Sequence, residues 1–225
     1  MRAAEVRAGA RDIAPLAIGV ALYGFAFGVL AAEAGFSALG IGVMAVAVFA
    51  GASQIAAVDQ FLTTGSVLGA ALAGAALNLR YVGITASVAP ALRELRWLPR
   101  GFALWGATDE NLGLTMTQPA DGRGAYLLGT CLVLVPTWAA STVLGAVIGA
   151  AIPDLERFGI SFAFTAAFIA MARGLWPGRS AVLPWGLTFA VTWGLVSLGW
   201  SPALALVAGA VAGVVVSLLQ PVRAP

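Results

Sequence analysis

Polar and apolar positions alternate in long blocks along this chain, not with a short period. Residues 13–32, 34–58, 60–79, 124–153 and 180–222 contain no Asp, Glu, Arg or Lys. An α-helix rises about 1.5 Å per residue, so about 20 residues cross the ~30 Å hydrocarbon layer of a bilayer. Run 13–32 predicts one span and run 124–153 one long or tilted span. Run 180–222 is too long for one; Gly199-Trp200-Ser201-Pro202 near its middle predicts a turn between two. Residues 158–172 predict a shorter span. The apolar stretch after Arg2, Arg7 and Arg11 is longer than a signal-peptide core and further spans follow at once, so it reads as an uncleaved first helix.

Composition agrees. Of 225 residues, 60% are apolar and 10% charged, against about 25% charged in a soluble domain. A soluble enzyme and a disordered chain are excluded. The expected fold is all-α, a polytopic membrane bundle of about six spans plus one or two broken or re-entrant segments. Residues 1–12 form a cytoplasmic tail and 13–220 a single transmembrane transport domain.

Charge sets the orientation. The basic residues number twelve and the acidic ones ten; the basic ones are all Arg, scattered in loops without interleaved aromatics, which argues against nucleic acid. Arg2, Arg7 and Arg11 place the N-terminus inside, and so do Arg93, Arg96 and Arg100 for their loop. Three apolar segments lie between (13–32, 40–62, 66–90), so one of them is broken or re-entrant. Treating 101–118 as re-entrant puts Arg123, Arg173, Arg179 and Arg223 inside and the Asp154–Arg157 loop outside. A faint echo links Gly24-x-x-x-Gly28 with Gly145-x-x-x-Gly149, as in transporters built from two related halves.

Histidine is absent and Cys131 is the one cysteine. Ser/His and Cys/His nucleophiles, His-ligated metals and disulfides are therefore excluded. No nucleotide, protease or hydrolase motif occurs, and no cofactor is expected. Chemistry is left to polar residues inside apolar runs, where a charge costs about 2.5–3.5 kcal/mol and is therefore buried against protein or water. Gly51-Ala52-Ser53-Gln54 reads as a helix break whose freed N–H groups face an anion, or as small-residue packing. Arg80, in Asn78-Leu79-Arg80-Tyr81, reads as a clamp on a carboxylate, an ion pair with Asp109 or Glu110, or a snorkelling side chain. Thr108-Asp109-Glu110-Asn111 sets two carboxylates in apolar sequence, suited to a proton or an ammonium group. Asp59 is either buried or at a helix end. Trp97, Trp105, Trp176, Trp185, Trp193 and Trp200 read as interfacial anchors. A transporter and a channel or non-catalytic membrane subunit both fit.

Asp12-Ile-Ala-Pro15, Phe49-Ala-Gly-Ala-Ser-Gln54, Asn78-Leu-Arg-Tyr81 and Thr108-Asp-Glu110, in that order and spacing, resemble the AzlC-type branched-chain amino acid permeases. The resemblance covers about residues 10–170. It implies a multi-pass permease subunit in a bacterial inner membrane that exports branched-chain amino acids with a small hydrophobic AzlD-type partner. On that reading Gly51, Ala52, Ser53, Gln54, Asn78, Arg80 and Tyr81 bind substrate, and Thr108, Asp109 and Glu110 handle the ammonium group or the coupling proton. The chain departs from the family at Tyr81, where His is common, and at Asp59.

Overall fold

The computed structural model describes residues 2–151 and 178–220, with the isolated positions 169, 173 and 176. The expected span 158–172 and the Asp154–Arg157 loop fall almost wholly outside them. The regular elements among the described residues are all helices, without strands. In chain order the helices are α1 Ala3–Asp12, α2 Ala14–Glu33, α3 Ala38–Val48, α4 Gly51–Thr64, α5 Val67–Asn78, α6 Arg80–Val88, α7 Trp97–Trp105, α8 Asp109–Met116, α9 Arg123–Ala151, α10 Val182–Ser197 and α11 Pro202–Leu219.

Among the described residues, four stretches are long and apolar enough to cross a bilayer: Ala14–Glu33, Val67–Val88, Arg123–Gly149 and Arg179–Ser197. The expectation of about six spans is met only to that extent. Ala38–Val48 and Leu204–Leu219 are shorter apolar helices. Large aliphatic side chains such as Leu39, Leu68, Leu72 and Val82 are exposed. That is the outward composition of a helix bundle solvated by lipid.

Local chemistry explains the helix boundaries. Ser37 Oγ accepts from Gly40 N–H at 3.1 Å and Ser66 Oγ from Gly69 N–H at 3.0 Å, capping α3 and α5. Gly65, at φ 65°, ends α4 in the left-handed conformation that glycine takes without strain. Pro15 sits in the first turn of α2, where no N–H is needed. The expected N-terminal tail is helix α1, which packs on α9: Tyr126 donates its hydroxyl to Asp12 at 3.3 Å.

The chain divides into two compact units, residues 1–173 and 174–225. In the first, α2 lies along α9. A Cβ on Gly24 would strike Ser141 Oγ, one on Gly28 the Thr142 carbonyl and one on Gly145 the Phe25 carbonyl; one on Gly149 would stand 3.0 Å from Val29 Cα. The two Gly-x-x-x-Gly strings are thus opposite faces of a single close helix crossing. That contact explains the echo in the sequence without a duplicated half. One core cluster holds Ile13, Phe27, Ile41, Phe49, Leu134 and Trp138. A second, against the first turns of α9, holds Ile84, Val88, Leu92, Ala103, Leu127 and Cys131. In the second unit α10 and α11 form a hairpin turned at Gly199, φ 87°.

Candidate functional site

Two helices are interrupted inside the first unit. The first break separates α3 from α4. Phe49 takes φ 40°, a left-handed conformation costly for a bulky residue, and Ala50 is extended at φ −149°. Two contacts hold Phe49 there: its ring lies 5.2 Å from that of Trp105, and its carbonyl accepts from the Tyr81 hydroxyl at 3.3 Å. Ala50 offers no side-chain cap, so the first N–H groups of α4 are free to meet an anion. Ser53 and Gln54 instead look backwards across the break. Ser53 donates to the Ala50 carbonyl at 2.8 Å, and Gln54 Nε2 donates to the Met44 carbonyl at 2.7 Å. Both are 1% exposed.

The second break lies between α7 and α8. At about 14 and 12 Å, neither helix alone spans half the hydrocarbon layer. Asn111, fully buried, ties the break together: its Oδ1 accepts from Thr108 N–H at 2.9 Å and its Nδ2 donates to the Gly106 carbonyl at 2.9 Å. Asp109 and Glu110 occupy the first turn of α8, where the helix dipole favours negative charge. Asp109 Oδ2 is 2.7 Å from Arg80 Nη1, with the two side chains 29% and 39% exposed. Arg80 opens α6 just beyond a one-residue interruption at Leu79, and its guanidinium stands 5.4 Å from the Tyr81 ring centre. Among the described residues no cation lies within ion-pair distance of Glu110.

The breaks and the start of α6 converge on one small cavity. Gly51, Ala52, Arg80, Tyr81, Thr108 and Glu110 line it, together with Val20, Tyr23, Phe49, Leu134 and Trp138. Three segments far apart in sequence therefore share one site. Its volume is about 40 Å³, room for about three waters. Gly51 abuts the aromatic side: a Cβ there would lie 2.6 Å from Tyr23 Cε1 and 2.7 Å from Trp138 Cη2.

Four expected site residues stay off the lining. Ser53 and Gln54 brace the first break, Asp109 reaches the site through Arg80, and Asn78 ends α5, half-buried. Asp59 is exposed on α4. Trp105, expected as an interfacial anchor, packs its ring on Phe49 and, at 5.7 Å, on Phe102. Tyr23, Asn111, Leu134 and Trp138 carry more of the site than their sequence surroundings announce. One signal was available: Trp138 sits at the middle of run 124–153, too deep for an interfacial belt. Among the described residues no group of three or more acidic, Cys or His side chains could hold a metal ion.

The comparisons with known proteins bear on the same segments. The family model described as AzlC protein matches residues 15–152, which include every residue lining the cavity. An "Uncharacterized membrane protein" of Archaeoglobus fulgidus is 30% identical over 199 residues, covering 86% of this chain and 85% of its own. "Inner membrane protein YgaZ" of Escherichia coli is 26% identical over 226 residues, covering 94% and 89%. No solved structure matches. With the family match extending over more than half its length, this chain belongs to the AzlC family of membrane proteins.

Proposed function

We propose that the chain is the permease subunit of an inner-membrane exporter that moves branched-chain amino acids by proton-coupled secondary transport. The observation that carries this reading is the cavity shared by two broken helices, with an uncapped helix N-terminus, an Arg and an acid around it. Those groups match the two ends of a zwitterion. The free N–H groups at Gly51 and Ala52 receive the carboxylate, as half-helix N-termini do in other transporters. Glu110, with no cation paired to it among the described residues, receives the ammonium group or the coupling proton. Arg80 pairs with Asp109 and is drawn toward the substrate carboxylate when one arrives.

An AzlD-type small hydrophobic protein is the proposed partner, on the strength of the family. Gly145 and Gly149, small residues suited to such a contact, are already used against α2.

The test is counterflow in vesicles loaded with leucine, valine or isoleucine, with and without the small partner. Saturable exchange of labelled substrate against the loaded pool is expected. Ion conductance without counterflow would instead identify a channel.

A further inference from the structure

The cavity has two chemically different walls. Arg80, Tyr81, Thr108 and Glu110, from α6 and α8, form a polar one. Val20 of α2 and Leu134 and Trp138 of α9 form an apolar one, and the N-terminus of α4 lies beside it. A zwitterion whose charged end meets the polar wall and the α4 N-terminus must turn its side chain to α2 and α9.

The elements of that apolar wall differ in how far they can yield. Trp138, 4% exposed, stacks on Phe27 at 5.9 Å with the rings 12° apart and meets Tyr23 at 5.7 Å. Glycines fit against it from two helices: added Cβ atoms on Gly24 and Gly51 would stand 3.1 and 2.7 Å from its ring. The indole is therefore a fixed floor. Val20 is half-buried, and Leu134 is 1% exposed. Neither is held by a hydrogen bond or a ring stack, and their volume is what a ligand's side chain would meet.

Resting on the reading of the site as one for amino acids, we propose that Val20 and Leu134, over the Trp138 floor, form the subsite for the aliphatic side chain of the substrate. Leu134 sets the upper limit on its size. A hydrophobic pocket discriminates by about 10–200-fold per methylene, so one methylene removed from Leu134 is enough to move the preference.

The test is counterflow of alanine, valine, leucine, methionine and phenylalanine by the full chain with its small partner. Wild type is compared with Leu134→Val, Val20→Ala and Leu127→Val, the last on the same helix but in the other core cluster. Leu134→Val should raise the methionine-to-valine transport ratio about 10-fold, Val20→Ala should raise it in the same direction, and Leu127→Val should leave it unchanged. An unaltered ratio in Leu134→Val and Val20→Ala, with counterflow retained, would overturn the subsite while leaving the amino acid reading intact. If Leu134→Val does not assemble, Val20→Ala against Leu127→Val decides by the same ratio. Wild-type protein that exchanges none of the five would overturn the reading of the site, and the subsite with it.

Discussion

The two helix breaks share one device and differ in what they present to the cavity. In both, a buried amide near the start of the second half-helix reaches back to a carbonyl before the break: Gln54 to Met44, Asn111 to Gly106. The α4 N-terminus then stands uncapped, with two small residues on the lining. The α8 N-terminus carries its own acids, one neutralised by Arg80 and one facing the cavity. Equivalent helix termini thus become opposite poles, donors on α4 and a carboxylate on α8. The helix dipole alone would make both anion sites; the residues in the first turn decide which one stays so.

The largest expected effect comes from filling the α4 side. Gly51→Val places carbon where Tyr23 and Trp138 already stand. A displacement of about 1 Å in a binding group costs on the order of 100-fold in rate, so counterflow per folded molecule should fall by about that much. At the other break a Cβ on Gly106 would meet Cys131 Sγ at 3.0 Å, away from the cavity lining. Gly106→Ala should therefore cost thermal stability in detergent more than transport. Equal transport losses in the two variants would erase the distinction between the breaks.

Next in size is the ion pair. Breaking a fully buried pair costs about 3–5 kcal/mol; with Arg80 39% and Asp109 29% exposed, the loss for Arg80→Ala should fall below that range. Lower yield of folded protein is expected for Arg80→Ala, and recovery of yield without transport for Arg80→Ala combined with Asp109→Asn. Recovered transport in the double variant would place Arg80 outside the transport cycle.

How far this was legible in the sequence follows from the physics of each feature. Uncharged runs of span length show directly where α2 and α9 lie, because desolvation forbids charge there. The break beside Gly51 was one of two open readings, because small residues in an apolar run serve close helix packing as well as a break. Its position one step earlier, at Phe49 and Ala50, was not legible, because a ring stack on Trp105 and a hydroxyl from Tyr81 hold the chain there. Composition showed that Arg80 needs an acid but not which one; a neighbouring pair of carboxylates is ambiguous until α8 is placed. Ser53 and Gln54 posed a related ambiguity: side-chain donors near a break can face a ligand or the chain's own carbonyls, and only the backbone path decides. Tyr23, Leu134 and Trp138 left little mark because apolar lining and apolar core look alike in sequence.

Smaller effects separate the two amide braces. Asn111→Leu removes three hydrogen bonds, one of them to Cys131 Sγ, and strands a buried N–H and a buried carbonyl, each costing about 1–3 kcal/mol. Gln54→Leu removes one hydrogen bond, from a carbonyl that α3 already engages. Melting in detergent should drop further for Asn111→Leu than for Gln54→Leu; the reverse order would contradict the bracing described for the second break. Smallest of all, Asp59→Asn should leave counterflow unchanged, because Asp59 is exposed and off the cavity.

The division of labour between the neighbouring carboxylates is the claim most open to direct measurement. Efflux from loaded vesicles, recorded as a function of pH, should be compared for wild type, Asp109→Asn and Glu110→Gln. Glu110→Gln should lose pH dependence along with most of the rate. Asp109→Asn should keep the pH dependence at a reduced rate, since it loosens Arg80 without removing the free carboxylate from the cavity. An unchanged rate and pH profile in Glu110→Gln would contradict the account.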